Sequence, residues 1–345
     1  MEKKNLTTVL SCLAVLLAFV VVFCLASRLL EPKYATDLVE GSFLPQYYKE
    51  AGGHDVIFVG DCEVYANFSP MELWRDYGIT AYIRGSSQQL IWQSYHVLEE
   101  TLGYETPKVV VFNVNSMRYS EPVSEAYNRL TIDGLRWSSS KVEMILASMT
   151  EEESFWSYVF PILRYHARFD ELTGEDLTYF FGGRENSFNG YQLHTGVKPV
   201  GRLPAKRPLA DYRFGDICYD YLERITALCA EKGVELILIK APSQYPYWYE
   251  EYDAQIGEFA AAHGLAYYDL TKAVEAIGLD FQQDTYDAGL HLNHSGTVKL
   301  CKYFGRILAE DHGCEDHRDD PQVAAAYEEK LRRYDAEVQK QKGNK

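Results

Sequence analysis

The 345-residue chain is 47% apolar and 14% aromatic, enough to build a large core and to exclude wholesale disorder. Its 34 Lys and Arg against 50 Asp and Glu leave a formal charge of -16, which argues against a nucleic-acid partner because phosphate contacts need a basic face. Seven scattered cysteines, with no CxxC pair and no Cys/His cluster at zinc spacing, point to neither a disulfide scaffold nor a structural metal, and no motif calls for a cofactor.

From Asn5 to Ser27 no residue is charged, and Leu10 to Leu25 is nearly all Leu, Val, Ala and Phe. At about 1.5 Å rise per residue this run spans a hydrocarbon core of about 30 Å, so it reads as one transmembrane helix. Lys3 and Lys4 precede it, whereas Arg28, Glu31 and Lys33 after it are of mixed sign. That asymmetry places the amino end in the cytoplasm and the domain that follows outside the cell membrane. The rival reading is a cleaved signal peptide with Cys24 and Ala26 near the cleavage point, but the run exceeds the usual apolar region of about 7–15 residues. Residues 1–33 are therefore read as a cytoplasmic stub and anchor, 34–314 as one domain, and 315–345 as a charged, solvated helical tail with Tyr327, Leu331, Tyr334 and Val338 on one stripe.

Within the domain, short apolar runs alternate with amphipathic stretches in the manner of βα units. Strands are expected at Asp55–Val59, Thr80–Ile83, Lys108–Phe112, Glu235–Ile239 and Ala266–Tyr268. Helical spacing marks Pro70–Tyr77, Gln88–Leu102, Tyr219–Ala230 and Tyr252–Ala262. The fold class is thus α/β, a parallel sheet covered on both faces. An aromatic-rich stretch, residues 117–215, breaks the rhythm and reads as an insertion lying over the sheet.

In an open parallel sheet the reactive positions lie beyond the carboxyl ends of the strands. Those loops carry Gly60-Asp61-Cys62-Glu63, then Arg84-Gly85-Ser86-Ser87, then Asn113-Val114-Asn115-Ser116, and late in the chain Asp284-Thr285-Tyr286-Asp287-Ala288-Gly289-Leu290-His291. A nucleophile at a strand-to-helix turn, a glycine and an asparagine able to offer N–H donors, and a late Asp/His pair are the parts of acyl transfer.

In these blocks the chain resembles the SGNH (GDSL-type) hydrolase superfamily, in particular its membrane-anchored, extracytoplasmic members from Gram-positive bacteria. The resemblance covers 54–116 and 232–308, including HLNHSGTVK, and extends to AYNRLTIDGL and FPILRYHARFDEL in the insertion. It implies a three-layer α/β/α, flavodoxin-like fold. It also implies esterase or acyltransferase activity on acyl esters of a cell-envelope polysaccharide or glycopolymer. Under the resemblance Cys62 stands where the family has its nucleophilic serine, Gly85 and Asn115 where the oxyanion donors stand, and His291 as general base oriented by Asp287. Two departures accompany it: cysteine replaces serine, and the usual Asp-x-x-His becomes Asp287-x-x-x-His291, with Asp284 as the alternate acid. The alternative function is a scaffold that has lost its chemistry and binds envelope glycan or an assembly partner.

Further candidates for substrate contact are Asp61 beside the nucleophile, Asn113 as substitute for Asn115, and Ser86, Ser87 and His294 as pocket-lining groups. Trp248, with Tyr245, Tyr247 and Tyr249, is a candidate sugar-stacking shelf. Arg164, His166 and Arg168 are placed to meet the anionic groups of a glycopolymer, or else to pair with Glu152, Glu153 or Asp170. Cys218 and Cys229, about three helical turns apart, cannot bridge and belong to the core.

Overall fold

The computed structural model describes residues 2–32, 43–50, 52–122, 124–182 and 187–343. Its centre is a sheet of five parallel strands: β1 (Val56–Gly60), β2 (Ala81–Gly85), β3 (Val109–Asn113), β4 (Glu235–Lys240) and β5 (Ala266–Asp269). The spatial order is β2-β1-β3-β4-β5. Each strand lies within two residues of its expected bounds, mostly displaced towards the carboxyl end, because pairing continues past the last apolar side chain into Gly60, Gly85, Asn113, Lys240 and Asp269.

The principal helices are α1 (Glu2–Leu30), α2 (Cys62–Asn67), α3 (Pro70–Tyr77), α4 (Ile91–Thr101), α5 (Asp216–Lys232), α6 (Glu250–His263), α7 (His294–Glu310) and α8 (Pro321–Gly343). Successive strand residues point to opposite faces, so alternate residues feed separate cores. Val56, Phe58, Val109, Val111, Ile237 and Ile239 pack with α2, α3, α7 and α8. Ile57, Val59, Val110, Phe112, Leu236 and Leu238 pack with α4, α5 and α6. The central strands are buried on both faces, which is why they read as unbroken apolar runs.

Helix α8 departs from the expected solvated tail. Its stripe of Tyr327, Leu331, Tyr334 and Val338 is buried, with Tyr327 stacked on Trp74 at 4.5 Å between ring centroids. The buried stripe makes the helix part of the sheet's helical cover.

Residues 117–215 do not form a single cover over the sheet. Helices at Glu125–Ile132 and Ser139–Ser148 extend the α4 side, where Ser148 Oγ accepts the Trp92 indole N–H at 3.0 Å. Residues 155–180 leave the sheet and pack against the carboxyl end of α1. Beyond 187 the chain runs beside β2, where Asn189 O accepts Ile83 N at 3.0 Å. Helix α1 contains a 25-residue stretch, Leu6–Leu30, with an 18-residue window of mean hydropathy 3.1, long and apolar enough to cross a membrane.

Candidate active site

Because the strands are parallel, their carboxyl ends share one edge, and the site is assembled there. The chain leaves β1 through Gly60, at φ 153°, and enters α2 at Cys62. Asp61 caps α2 by accepting Glu63 N at 3.2 Å. As the first residue of a helix, Cys62 has a backbone N–H without an intrahelical acceptor. Gly85, at the end of β2, lies so close that a Cβ there would come within 2.6 Å of Val64 and 2.9 Å of the Gly60 carbonyl oxygen. Glycine is needed at 85 for the two strand ends to approach.

Behind Cys62 is a buried polar network. Asn113 Nδ2 donates to Asp61 and to Glu63, both at 3.0 Å, while its Oδ1 accepts Ala241 N at 3.0 Å. Asn115 Nδ2 donates to Asp61 Oδ2 at 2.6 Å. Lys240, fully buried at the end of β4, donates to both Glu63 oxygens at 2.7 and 2.8 Å, to Ala241 O at 2.8 Å and to Ser243 Oγ at 3.1 Å. Burial and the neighbouring Glu63 carboxylate push the Asp61 carboxyl up, against the pull of Asn115 and Lys240.

The other half comes from the loop before α7. Asp287 accepts His291 N at 2.8 Å through Oδ1 and approaches His291 Nδ1 at 2.5 Å through Oδ2. The additional residue between acid and base is absorbed by a tight turn: Ala288 has φ 66° and Gly289 φ 97°, and Gly289 N donates to Thr285 Oγ1 at 2.8 Å. Gly289 also admits close packing, since a Cβ there would meet Val200 at 2.5 Å. Asp284 is occupied elsewhere, accepting Asp280 N at 2.8 Å and Lys299 Nζ at 2.5 Å. Asn67, at the end of α2, accepts Leu292 N at 2.8 Å and so ties the histidine loop to the cysteine helix.

The two halves meet where Cys62 and His291 face each other, near enough for the thiol and the imidazole to shift one another's titration. Burial pushes the Cys62 thiol up, and His291 only partly offsets it. Burial disfavours the His291 imidazolium, but the charge of a Cys62 thiolate and the hydrogen bond to Asp287 outweigh that and raise the imidazole well above its ordinary value. Burial likewise disfavours the Asp287 carboxylate, yet the hydrogen bonds from His291 hold its pKa below the usual range. Asp287, His291 and Cys62 form a connected row of acceptor, proton carrier and sulfur, and Cys62 remains half-buried rather than sealed.

No protein-family model and no curated protein matches the chain.

The remaining candidates scatter. Ser86 is buried and bonded to Gln89 and Thr131, so it braces a loop rather than lining a pocket. His294 lies 3.7 Å from Glu72, on the α3 side of α7. Trp248 is packed against Phe214 and Tyr252, its ring half-buried rather than offered as a shelf. Arg164 and Arg168 pair with Glu125 and Asp176, not with Glu152, Glu153 or Asp170; Arg164 borders a cavity of about 1100 Å³ at the end of α1. His166 is exposed on a turn, His166–Asp170, that packs on α1. Cys218 and Cys229 are buried and free.

Sequence reasoning missed Glu63, Lys240, Asn67 and His194. His194 stacks on Tyr286 at 3.9 Å, Tyr286 stacks in turn on His291 at 5.9 Å, and burial pushes the His194 imidazole down to about 4. The signal for Lys240 was present: a lysine closing an otherwise apolar strand at a sheet's carboxyl edge needs an anionic partner there.

Proposed function

We propose that the chain is an SGNH-like esterase or acyltransferase, anchored by α1 with its domain outside the cytoplasm, acting on acyl esters of a cell-envelope polysaccharide or glycopolymer. The observation that carries the reading is the row Asp287, His291, Cys62 at the carboxyl edge of a sheet ordered β2-β1-β3-β4-β5, the order of flavodoxin-like sheets. In this reading the fold is the three-layer α/β/α arrangement of that superfamily.

Chemically, His291 takes the thiol proton as Cys62 sulfur attacks the ester carbonyl. The backbone N–H of Cys62, that of Gly85 and the Asn115 amide stabilise the oxyanion. Collapse of the tetrahedral intermediate expels the alcohol, which takes the proton from His291 and leaves a thioester on Cys62. Water or a second hydroxyl then releases the acyl group, with His291 again acting as base. Asp287 holds the imidazole with Nδ1 towards itself and Nε2 free for the sulfur. Ester turnover by the full chain, compared with Cys62→Ala and His291→Ala, tests the proposal. Equal turnover in all three would sink it.

A second reading is favoured by one specific observation. One N–H of the Asn115 amide is already committed to Asp61 at 2.6 Å, and Asn113 is fully engaged. With burial also keeping the thiol protonated, the same fold serves as a scaffold that binds glycan without turning over an ester. Glycan binding that survives Cys62→Ala, without ester turnover, distinguishes it.

A further inference from the structure

Soluble domains rarely expose contiguous apolar surface, so a run of uncovered rings marks a surface built for another medium. Such a run occurs in 155–181. Trp156 is 60% exposed, Phe169 72% and Phe181 80%, and Leu163 and Leu177 are also exposed. These side chains belong to a segment fixed to the apolar helix. Ile162 N donates to Ser27 Oγ at 3.0 Å, and the Arg168 guanidinium donates to Leu30 O at 2.6 Å and to Asp176 at 2.9 Å.

Ring contacts continue outward from α1 without a break. Phe19 stacks on Phe23 at 6.3 Å, Phe23 meets Phe160 edge-on at 5.7 Å, and Phe160 stacks on Trp156 at 6.2 Å. Phe23 lies seven residues before Leu30, about 10 Å along the helix axis. Rings anchored at that depth reach the boundary between acyl chains and headgroups, where Trp and Phe of interfacial elements reside. Arg28, over the Phe180 ring at 5.7 Å, and the exposed Arg164 stand at the adjoining polar level.

We infer that residues 155–181 form a second, monotopic membrane contact, lying in the bilayer interface beside α1 and seating the domain on the lipid surface. The inference rests on the reading of α1 as a spanning helix. The occupant is the bilayer rather than a protein because the apolar surface is continuous with the helix that the bilayer itself must cover.

The test uses the full chain reconstituted in phosphatidylcholine vesicles. Flotation reports whether α1 is inserted, and lipids doxyl-labelled near the headgroup then act as quenchers. The Trp156 signal is the emission difference between the wild type and Trp156→Phe. That difference is expected to be lost with the shallow doxyl lipid and to resist aqueous iodide. A chain that floats but whose Trp156 emission ignores the lipid quencher and yields to iodide overturns this inference while leaving the anchor intact. A chain that does not float overturns both. Phe169→Glu with Phe181→Glu, at exposed positions where folding is indifferent, is expected to weaken shallow quenching of Trp156; full retention counts against the inference.

Discussion

The carboxyl edge of the sheet and the segment 155–181 invert the usual rules in opposite senses. At the edge, charged and amide groups are mutually bonded, buried for Lys240 with Glu63 and Asn113 with Asp61 and Glu63, half-buried for Asp287 with His291. In the segment, apolar rings are left uncovered while its arginines find carboxylates. Burying charge costs stability unless every group is paired, so its presence marks a place where geometry is held at the expense of stability. Exposing rings is unfavourable only in water. Under the two proposals the difference has one sense: the edge serves chemistry and the segment meets a different solvent.

The sharpest way to break the first half of that comparison is to remove His291. Under the proposed mechanism His291→Ala lowers ester turnover by about 100- to 10,000-fold, and Asp287→Asn lowers it less; steady-state turnover checks both. Next, Lys240→Met strands the buried Glu63 carboxylate and is expected to cost about 3–5 kcal/mol in denaturant unfolding. The double variant Glu63→Gln with Lys240→Met recovers most of that loss. A single variant as stable as wild type would remove the network from the account.

The dependence on pH follows from the directions of shift. A thiol raised by burial carries little thiolate below the ordinary value of 9.0, so alkylation of Cys62 keeps climbing as the pH passes through that value. Loss of the imidazole that lowers it moves the profile further up in His291→Ala. A plateau reached near neutrality would mean a preformed thiolate–imidazolium pair instead. For Asp287, held below the ordinary 3.8, the stabilisation is present above its unfolded pKa and disappears as the pH falls through the folded one. The smallest effect belongs to Ala288→Gly. Relief of a left-handed alanine is offset in part by added chain entropy, leaving a gain of at most about 1 kcal/mol by thermal unfolding.

How far the molecule was legible in its sequence depends on the range of the forces involved. Strands buried on both faces announce themselves as apolar runs, and β1 to β4 were readable for that reason. Helix α8 was readable as a stripe, but its destination against Trp74 was not, because periodicity says that a face is buried and not by what. Cys62, Asp287 and His291 were singled out by their place in loops beyond the strand ends and by the family resemblance those loops carry. Glu63 and Lys240 were not, since 177 residues separate them and the apolar strand that Lys240 closes calls for an anionic partner without naming it. His194 lay hidden in a Gly- and Pro-rich stretch with no period to frame it. The division of residues 117–215 into a sheet-side part and an α1-side part depends on docking, which composition does not encode.

The most direct measurement is intact-mass spectrometry of the detergent-solubilised full chain after exposure to a small acyl-ester probe, followed by peptide mapping. The account predicts one acyl adduct, on Cys62, absent from Cys62→Ala and suppressed in His291→Ala. An unmodified Cys62, or an adduct that forms equally well without His291, would contradict it.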